Sequence, residues 1–225
     1  MTELPARHAF SSQDYRARVE AVRARMRDRG ITVLCLTSPE NMFYLTGYDA
    51  WSFYTHQMAI LHVSQGDPLW VGRQIDVPCA QATCWIPSEN MVGYGDAYVD
   101  SAERHAMDFM ADIVNQQGWE SEAIGFEYEN YYFTARAFLA LQNALPDAQF
   151  CDATNLVNWV RSVKSPAEIT YMRQAARIAD ATMEAGVEAI QPGALESDVA
   201  AVFNGAQTKG VEGLGGDPQA EAIVI

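Results

Sequence analysis

The chain has 225 residues, of which 49% are hydrophobic and 20% are charged, a composition typical of a globular protein with a sizeable core. Its 29 acidic and 15 basic side chains give a formal net charge of -14. Nucleic acids and anionic membrane surfaces bind basic patches, so this charge argues against both as the main partner.

The four cysteines and the lack of an apolar segment indicate the compartment. None of the cysteines forms a CxxC pair, and the spacing of Cys79 and Cys84 is a weak signal for a metal or a disulfide. Cys35 and Cys151 lie in apolar, strand-like segments, which favours reduced core thiols. No apolar signal region occurs in MTELPARHAF, and no run of about 18 apolar residues follows. We therefore expect a soluble cytoplasmic protein that does not bind a membrane.

The first predicted elements are one helix and three strands. The helix covers SSQDYRARVEAVRARMRDRG, with Ser11 or Ser12 as its N-cap and Gly30 as its C-terminal stop. A buried strand follows at ITVLCLT. The segment MAILHVSQGDPLWVG predicts two further strands joined by a Gln-Gly-Asp turn.

Two more helices and another strand complete the first predicted domain. AERHAMDFMADIVNQQG predicts a helix, AIGFEYE a strand, and FTARAFLALQNALP a helix that stops at Pro146. Strands that alternate with helices predict an α/β domain over residues 1–160, with a mixed sheet whose faces are flanked by helices.

The pattern changes near Arg161 and predicts a second unit over residues 161–225. Its long first helix has Ser165 as N-cap, Pro166 in the first turn, and Glu168 to complete a capping box. ALESDVAAVFNGAQTKG predicts another helix, and the glycine-rich end becomes strand-like. Two helices and one short strand cannot close a core, so this unit is expected to be incomplete.

No common catalytic motif settles the function. The sequence contains no phosphate loop, no GxGxxG before a helix, no GxSxG nucleophile elbow and no HExxH. The four histidines have no ligand-like spacing, so no metal site is predicted from this chain. Glu127 and Glu129 alternate along a strand end and are expected to be solvated edge residues rather than a catalytic pair.

Two other features leave alternatives open. Arg104 and His105 stand at the predicted start of a helix, where positive charge is unfavourable, so they could have contacts elsewhere in the protein. The segment NMFYLTGYDAWSFYTHQ, residues 41–57, is rich in aromatic side chains. Such a density is typical of a core, but it also suits the wall of a binding site.

Two segments resemble the creatinase and Xaa-Pro aminopeptidase superfamily. NMFYLTGYDAW resembles the N-x-x-Y-L-T-G segment of that superfamily, and VRSVKSPAEITYMRQAARIAD looks like the hinge and first helix of its pita-bread catalytic domain. An α/β pattern separates the two, as the architecture of the superfamily requires. Longer runs, among them LTGYDAWSFYTHQ, PLWVGRQIDV and VGYGDAYVDSAERHAMD, are similar to the ectoine hydrolases within it.

The resemblance implies a function and a binding site. Ectoine hydrolases open the cyclic amidine of ectoine to acetylated diaminobutyrate, in ectoine catabolism. Members of the superfamily are homodimers in which the N-terminal domain of one subunit helps to wall the active site of the other. Flat aromatic faces suit a delocalised cation such as the protonated amidine of a small zwitterionic substrate. The residues then expected to line the substrate pocket are Trp51, Phe53, Tyr54 and His56.

The resemblance also implies what this sequence lacks. The catalytic groups of the superfamily, and the divalent-metal ligands of its metal-dependent branch, lie beyond the glycine-rich segment, whereas this sequence ends at AIVI. No catalytic residue, metal ligand or cofactor is therefore predicted in this chain, and the fragment is expected to be inactive alone.

Several alternatives remain. The parent could be a metal-dependent Xaa-Pro aminopeptidase with a divalent metal pair, or a relative of creatinase or of dimethylsulfoniopropionate lyase. The chain could instead be a non-catalytic module that binds a small cation or dimerises. For the aromatic segment itself, the rival interpretation is that Phe53 and alternate residues begin a buried strand.

Overall fold

The structure is a computed structural model that describes residues 8–215. The chain divides into two compact units, one up to Ser162 and one from Val163 onwards. The sequence prediction placed this division between residues 160 and 161.

The first unit contains a six-stranded sheet. Its strands are β1 (Val33–Leu36), β2 (Met58–His62), β3 (Leu69–Arg73), β4 (Met91–Tyr94), β5 (Ala123–Phe126) and β6 (Gln149–Asp152). The strand order is β4-β3-β2-β1-β5-β6. Strand β2 runs antiparallel to both of its neighbours, and the other neighbouring pairs are parallel.

Six helices of the first unit surround this sheet. They are α1 (Ser12–Arg29), α2 (Pro39–Thr46), α3 (Val77–Thr83), α4 (Ala106–Gln116), α5 (Ala135–Ala144) and α6 (Leu156–Arg161). A mixed sheet flanked by helices confirms the predicted α/β class. Helix α1 begins as predicted, because the Ser11 hydroxyl accepts a hydrogen bond from the Asp14 backbone N–H at 3.2 Å.

The buried residues of the central strand β1 divide between two core clusters. Val33 and Cys35 pack in the cluster that contains the apolar side chains of α4 and α5. Leu34 and Leu36 pack in the cluster that contains those of α1, α2 and α6. Successive side chains of a strand point to opposite faces, so a strand that is apolar at every position must be covered on both.

Two segments differ from the sequence prediction. The aromatic-rich segment begins with α2, which ends at Gly47 in a left-handed conformation with φ of 80°. Helix α4 begins at Ala106, four residues after the predicted start, because His105 is its N-cap and forms a reciprocal capping box with Asp108. Arg104 and His105 therefore precede the helix.

The second unit contains two helices, α7 (Pro166–Ala189) and α8 (Glu196–Lys209). The predicted capping box of α7 is present, with the Ser165 N–H donating to Glu168 Oε2 at 2.7 Å. Gly186 of α7 lies against the Phe203 ring of α8 and leaves no room for a Cβ atom. The strand-like C-terminal end lies outside the described residues. Within residues 8–215, no helix has the length and apolar content needed to span a bilayer.

Candidate functional site

Three loops of the first unit meet at one edge of the sheet. Strands β1, β3, β4, β5 and β6 all point the same way, so their carboxyl ends share this edge. Because β2 runs in the opposite direction, the loop that precedes it also lies here. The edge therefore carries residues 47–57 before β2, residues 95–105 after β4, and residues 127–134 after β5. Ligands of α/β proteins commonly bind outside the carboxyl ends of the strands.

A buried carboxylate organises this edge. Glu127, which directly follows β5, is only 6% exposed. It accepts hydrogen bonds from the backbone N–H groups of Thr37 and Ser38, at 2.8 and 3.0 Å, just after β1. The Nδ2 groups of Asn41 and Asn130 also donate to it, at 2.5 and 3.2 Å. The prediction that Glu127 is a solvated edge residue is wrong.

A chain of hydrogen bonds through the loop after β5 connects Glu127 to the predicted site residue His56. Asn130, which donates to Glu127, also accepts a hydrogen bond from the Tyr132 N–H at 2.9 Å. His56 Nδ1 lies 3.2 Å from the Tyr132 carbonyl oxygen, to which it donates. The backbone carbonyl of His56 in turn accepts a bond from the Tyr94 hydroxyl at 2.6 Å. The position of His56 is thus fixed from both sides.

Exposed aromatic side chains surround one cavity at this edge, which we call the aromatic pocket. Its volume is about 150 Å³, and its wall includes Phe53, Tyr54, His56, Tyr131 and Tyr132. Phe53 is 83% exposed, Tyr54 63% and Tyr131 99%. The Tyr54 hydroxyl accepts a hydrogen bond from Arg73 Nη1 at 3.1 Å, which holds this ring in place.

Trp51 packs against two of the rings that line the aromatic pocket. It is half-buried, and its ring meets the Phe53 and Tyr132 rings edge to face, each at a centroid distance of 6.1 Å. Because β2 begins only at Met58 and Phe53 is exposed, the rival interpretation of a buried strand at Phe53 is wrong. The structure therefore brings all four predicted site residues to one edge, and their role in binding stays a prediction.

A second cavity of about 200 Å³ adjoins the first, and we call it the histidine pocket. The two pockets share the residues from Tyr54 to His56 and also Thr134. His56 and His105 both line the histidine pocket, and the centroids of their rings lie 4.9 Å apart. The charged residues that line this pocket are Asp100, Arg104 and Arg136, and Ser101 lies beside them.

Both histidines of this pocket are held toward the neutral form. Burial lowers the pKa of His56, and the bond to the Tyr132 carbonyl opposes this effect. Burial also lowers the pKa of His105, and the positive charges of a protonated His56 and of Arg136 lower it further. At neutral pH the pocket therefore holds two neutral imidazoles beside two guanidinium groups.

Neither the thiols nor the acidic side chains form an obvious reactive centre. All four cysteines are free, as predicted, although Cys79 and Cys151 are only half-buried. Burial raises the pKa of the Cys84 thiol to about 12, so this thiol is unreactive at neutral pH. In the part of the chain that the structure describes, no three His, Cys, Asp or Glu side chains are grouped so that they could hold a metal ion.

Sequence reasoning found some of these residues and missed others. Arg104 and His105 were singled out by their unusual charge at a helix start, and both line the histidine pocket. Arg136, at the start of α5, carries the same signal and is not among the residues predicted from the sequence. Tyr131 and Tyr132 gave no periodic or motif signal, because their role depends on the fold of the loop after β5.

Comparison with known proteins places the chain in a family. Residues 18–163 match the Creatinase/Prolidase N-terminal domain. The chain is 44% identical over 185 residues to the ectoine hydrolase of Halomonas elongata, which is 82% of this chain and 46% of that protein. It is also 44% identical over 209 residues to an uncharacterised hydrolase/peptidase, y4tM, of Sinorhizobium fredii, covering 93% of this chain and 53% of that protein.

Solved structures show the same fold. The Xaa-Pro dipeptidase of Bacillus anthracis superposes with a TM-score of 0.65 at 22% identity, over 87% of this chain and 49% of that one. The chain thus spans about half the length of the relatives that it matches. The predicted resemblance to the creatinase and Xaa-Pro aminopeptidase superfamily is confirmed, and the chain belongs to the Creatinase/Prolidase N-terminal domain family.

Proposed function

We propose that the first unit is the substrate-recognition domain of a homodimeric ectoine hydrolase, and that Trp51, Phe53, Tyr54 and His56 belong to its substrate site. The observation that carries this proposal is the aromatic pocket, whose rings are left in solvent around a cavity at the carboxyl edge of the sheet. The 44% identity to an ectoine hydrolase supports the choice of substrate.

The aromatic pocket suits a flat delocalised cation. A protonated cyclic amidine carries its charge over an N–C–N unit, and the face of an aromatic ring attracts such a charge. Exposed aromatic surface is unfavourable in water, so a ligand or a second subunit that covers Phe53 and Tyr131 lowers the free energy of the system. In the proposed dimer, this domain forms one wall of the neighbouring subunit's active site.

The described residues bind and orient the substrate in this proposal. The parent reaction adds water to the amidine carbon and breaks one ring C–N bond, which yields acetylated diaminobutyrate. Arg73 holds the Tyr54 ring through its hydroxyl, and Trp51 braces Phe53. A substrate ring that enters the aromatic pocket therefore meets surfaces that are already in position, which lowers the entropic cost of binding.

Titration calorimetry of the 225-residue chain with ectoine tests the proposal. Phe53→Leu keeps an apolar side chain but removes the aromatic face, and we expect it to weaken ectoine binding about fivefold, the size of one partly exposed cation–π contact. Phe53→Tyr should restore the affinity. Trp159→Leu is the matched control, because Trp159 is an exposed aromatic residue on α6 outside both pockets.

Two results would contradict the proposal. If the unmodified chain does not bind ectoine but binds an Xaa-Pro dipeptide, the peptidase alternative is correct. If ectoine binds equally well to the Phe53→Leu variant and to the Trp159→Leu control, the aromatic pocket is not the site. The same samples, assayed for acetylated diaminobutyrate, separately test the expectation that the chain is inactive alone.

A further inference from the structure

The histidine pocket concentrates positive charge in an acidic protein. The chain has 29 acidic and 15 basic side chains, yet this pocket is lined by two arginines and two histidines against one acidic residue, Asp100. In residues 8–215, neither Arg104 nor Arg136 forms an ion pair. Nearby Arg73, in contrast, is neutralised by Asp96 at 2.8 Å.

Two helix starts add to this field. His105 is the N-cap of α4 and Thr134 is the N-cap of α5, and both residues line the histidine pocket. The N-terminus of a helix carries a partial positive charge from its unpaired N–H groups, which favours a bound anion. Arginines and helix N-termini at one cavity therefore act in the same direction.

The imidazoles provide donors for an anion. His105 Nδ1 accepts a hydrogen bond from the Met107 N–H at 3.1 Å, so the ring proton of neutral His105 resides on Nε2. His56 Nδ1 donates to the Tyr132 carbonyl, so His56 Nε2 becomes a donor when the ring takes up a proton. An anion between these groups would stabilise the protonated form of His56. The protonated ring in turn offers a positive charge and an Nε2–H donor, so it binds the anion more tightly than the neutral ring does.

The acidic neighbours do not cancel this field. Asp108 already accepts a hydrogen bond from the His105 N–H at 2.8 Å, as part of the capping box. Glu103 is exposed and, with Asp108, borders an adjoining surface depression that shares Arg104, His105 and Arg136 with the histidine pocket. Asp100 alone faces the histidine pocket with a negative charge, against two guanidinium groups.

We propose that the histidine pocket binds a small carboxylate through Arg104, Arg136 and the imidazoles of His56 and His105. Planar guanidinium groups match the two oxygens of a carboxylate, and a cavity of about 200 Å³ has room for an anion of a few heavy atoms. The aromatic pocket shares Tyr54 and His56 with the histidine pocket, so a zwitterion could place its cation in the aromatic pocket and its carboxylate in the histidine pocket. Assigning the carboxylate to that substrate rests on the proposed function, whereas the carboxylate site itself does not.

Histidine NMR with sodium acetate tests the site directly. Chloride keeps the ionic strength constant while acetate is added to the 225-residue chain, and acetamide serves as the neutral analogue. We expect saturable shifts of the His56 and His105 signals, a rise in the pKa of both rings, and no shift from acetamide. His62 is the internal control, because it stacks on Trp119 away from the pocket.

Variants show which charges bind the acetate. Arg136→Gln and Arg104→Gln should each weaken acetate binding about tenfold, the effect of losing one charge-assisted contact. Arg25→Gln is the matched control, because Arg25 is an exposed arginine on α1 that faces Asp28 at 3.8 Å. Non-saturating shifts, equal shifts of His62, equal binding of acetamide, or equal affinities of the Arg136→Gln and Arg25→Gln variants would each overturn the site.

Ectoine then identifies the source of the carboxylate. If the substrate supplies it, ectoine moves the same two histidine signals at lower concentration than acetate, and Phe53→Leu weakens ectoine binding but not acetate binding. If acetate binds and ectoine does not, the carboxylate site stands and the proposed function is overturned. If ectoine binds and moves the signal of His56 but not that of His105, the assignment of the carboxylate to ectoine is overturned, and the aromatic pocket and the acetate site both stand.

Discussion

Replacing the buried carboxylate Glu127 by an amide should destabilise the first unit strongly. Glu127 accepts four hydrogen bonds, two from backbone N–H groups and two from asparagine amides. Oε2 accepts three of these bonds and Oε1 accepts the one from Asn41, so a glutamine whose amide oxygen takes the Oε2 position loses only the Asn41 bond, turns its own N–H groups toward Asn41 Nδ2, and accepts the other three without a charge. A bond to a charged group is worth roughly 1.5–3 kcal/mol and a bond to a neutral group roughly 0.5–1.5 kcal/mol, so the lost bond and the three weakened ones together amount to roughly 3–6 kcal/mol before relaxation.

We expect a loss of about 3 kcal/mol in the free energy of unfolding after relaxation, or roughly 6–12 °C in Tm for a unit of this size. Urea titration followed by circular dichroism measures the first quantity, and a thermal scan measures the second. Glu129→Gln is the matched control, because Glu129 lies two residues away and is exposed, and its effect should stay within about 0.5 kcal/mol. Equal effects of the two variants would refute the view that Glu127 organises the sheet edge.

Two further predictions concern the histidines and a turn glycine. Burial lowers the pKa of His56 and His105, so the unfolded chain binds protons at these residues more readily than the folded chain does. The free energy of unfolding should therefore fall as the pH drops below about 6.5. His105→Asn keeps a capping side chain but removes one of the two imidazoles, so urea titrations at several pH values should show a shallower fall for this variant. An unchanged pH dependence would contradict this. Gly47→Ala should lower the free energy of unfolding by about 1–3 kcal/mol, because Gly47 has φ of 80° and a new Cβ would lie 2.9 Å from the Tyr15 hydroxyl. Gly66→Ala is the control, with φ of 56° and no atom within 4 Å of the new Cβ, and it should cost only about 1 kcal/mol. Equal losses for the two variants would refute the close approach at Gly47.

Local signals predicted the longer elements well. Helices α1 and α7 were found because each has a capping serine and an apolar stripe, and both features depend only on residues within a few turns. Strands β1, β2 and β3 were found from continuous apolar runs. The short elements β4, α2, α3 and α6 were missed, since four to eight residues carry too little periodic pattern to separate a helix or strand from a loop.

The error at Glu127 has a different cause. Its partners Thr37, Ser38 and Asn41 lie 86 to 90 residues earlier in the sequence, and they reach Glu127 only because β1 and β5 are adjacent in the sheet. A carboxylate at a strand end is usually solvated, so the local pattern favoured the ordinary outcome. Only the strand order shows that this position is covered by the start of α2.

The direction of β2 explains why residues of the aromatic segment line both pockets. In a wholly parallel sheet, the loop before a strand lies at the opposite edge from the loops that follow the strands. Because β2 is reversed, the loop before it meets the loops after β4 and β5, and Tyr54 and His56 contribute to both pockets. The aromatic pocket forms between this loop and the one after β5, and the histidine pocket adds the loop after β4. In the proposed binding mode, a ligand with a cationic ring and a carboxylate contacts all three loops, so His56, which lines both pockets, is the residue whose chemistry should respond to both ends of such a ligand.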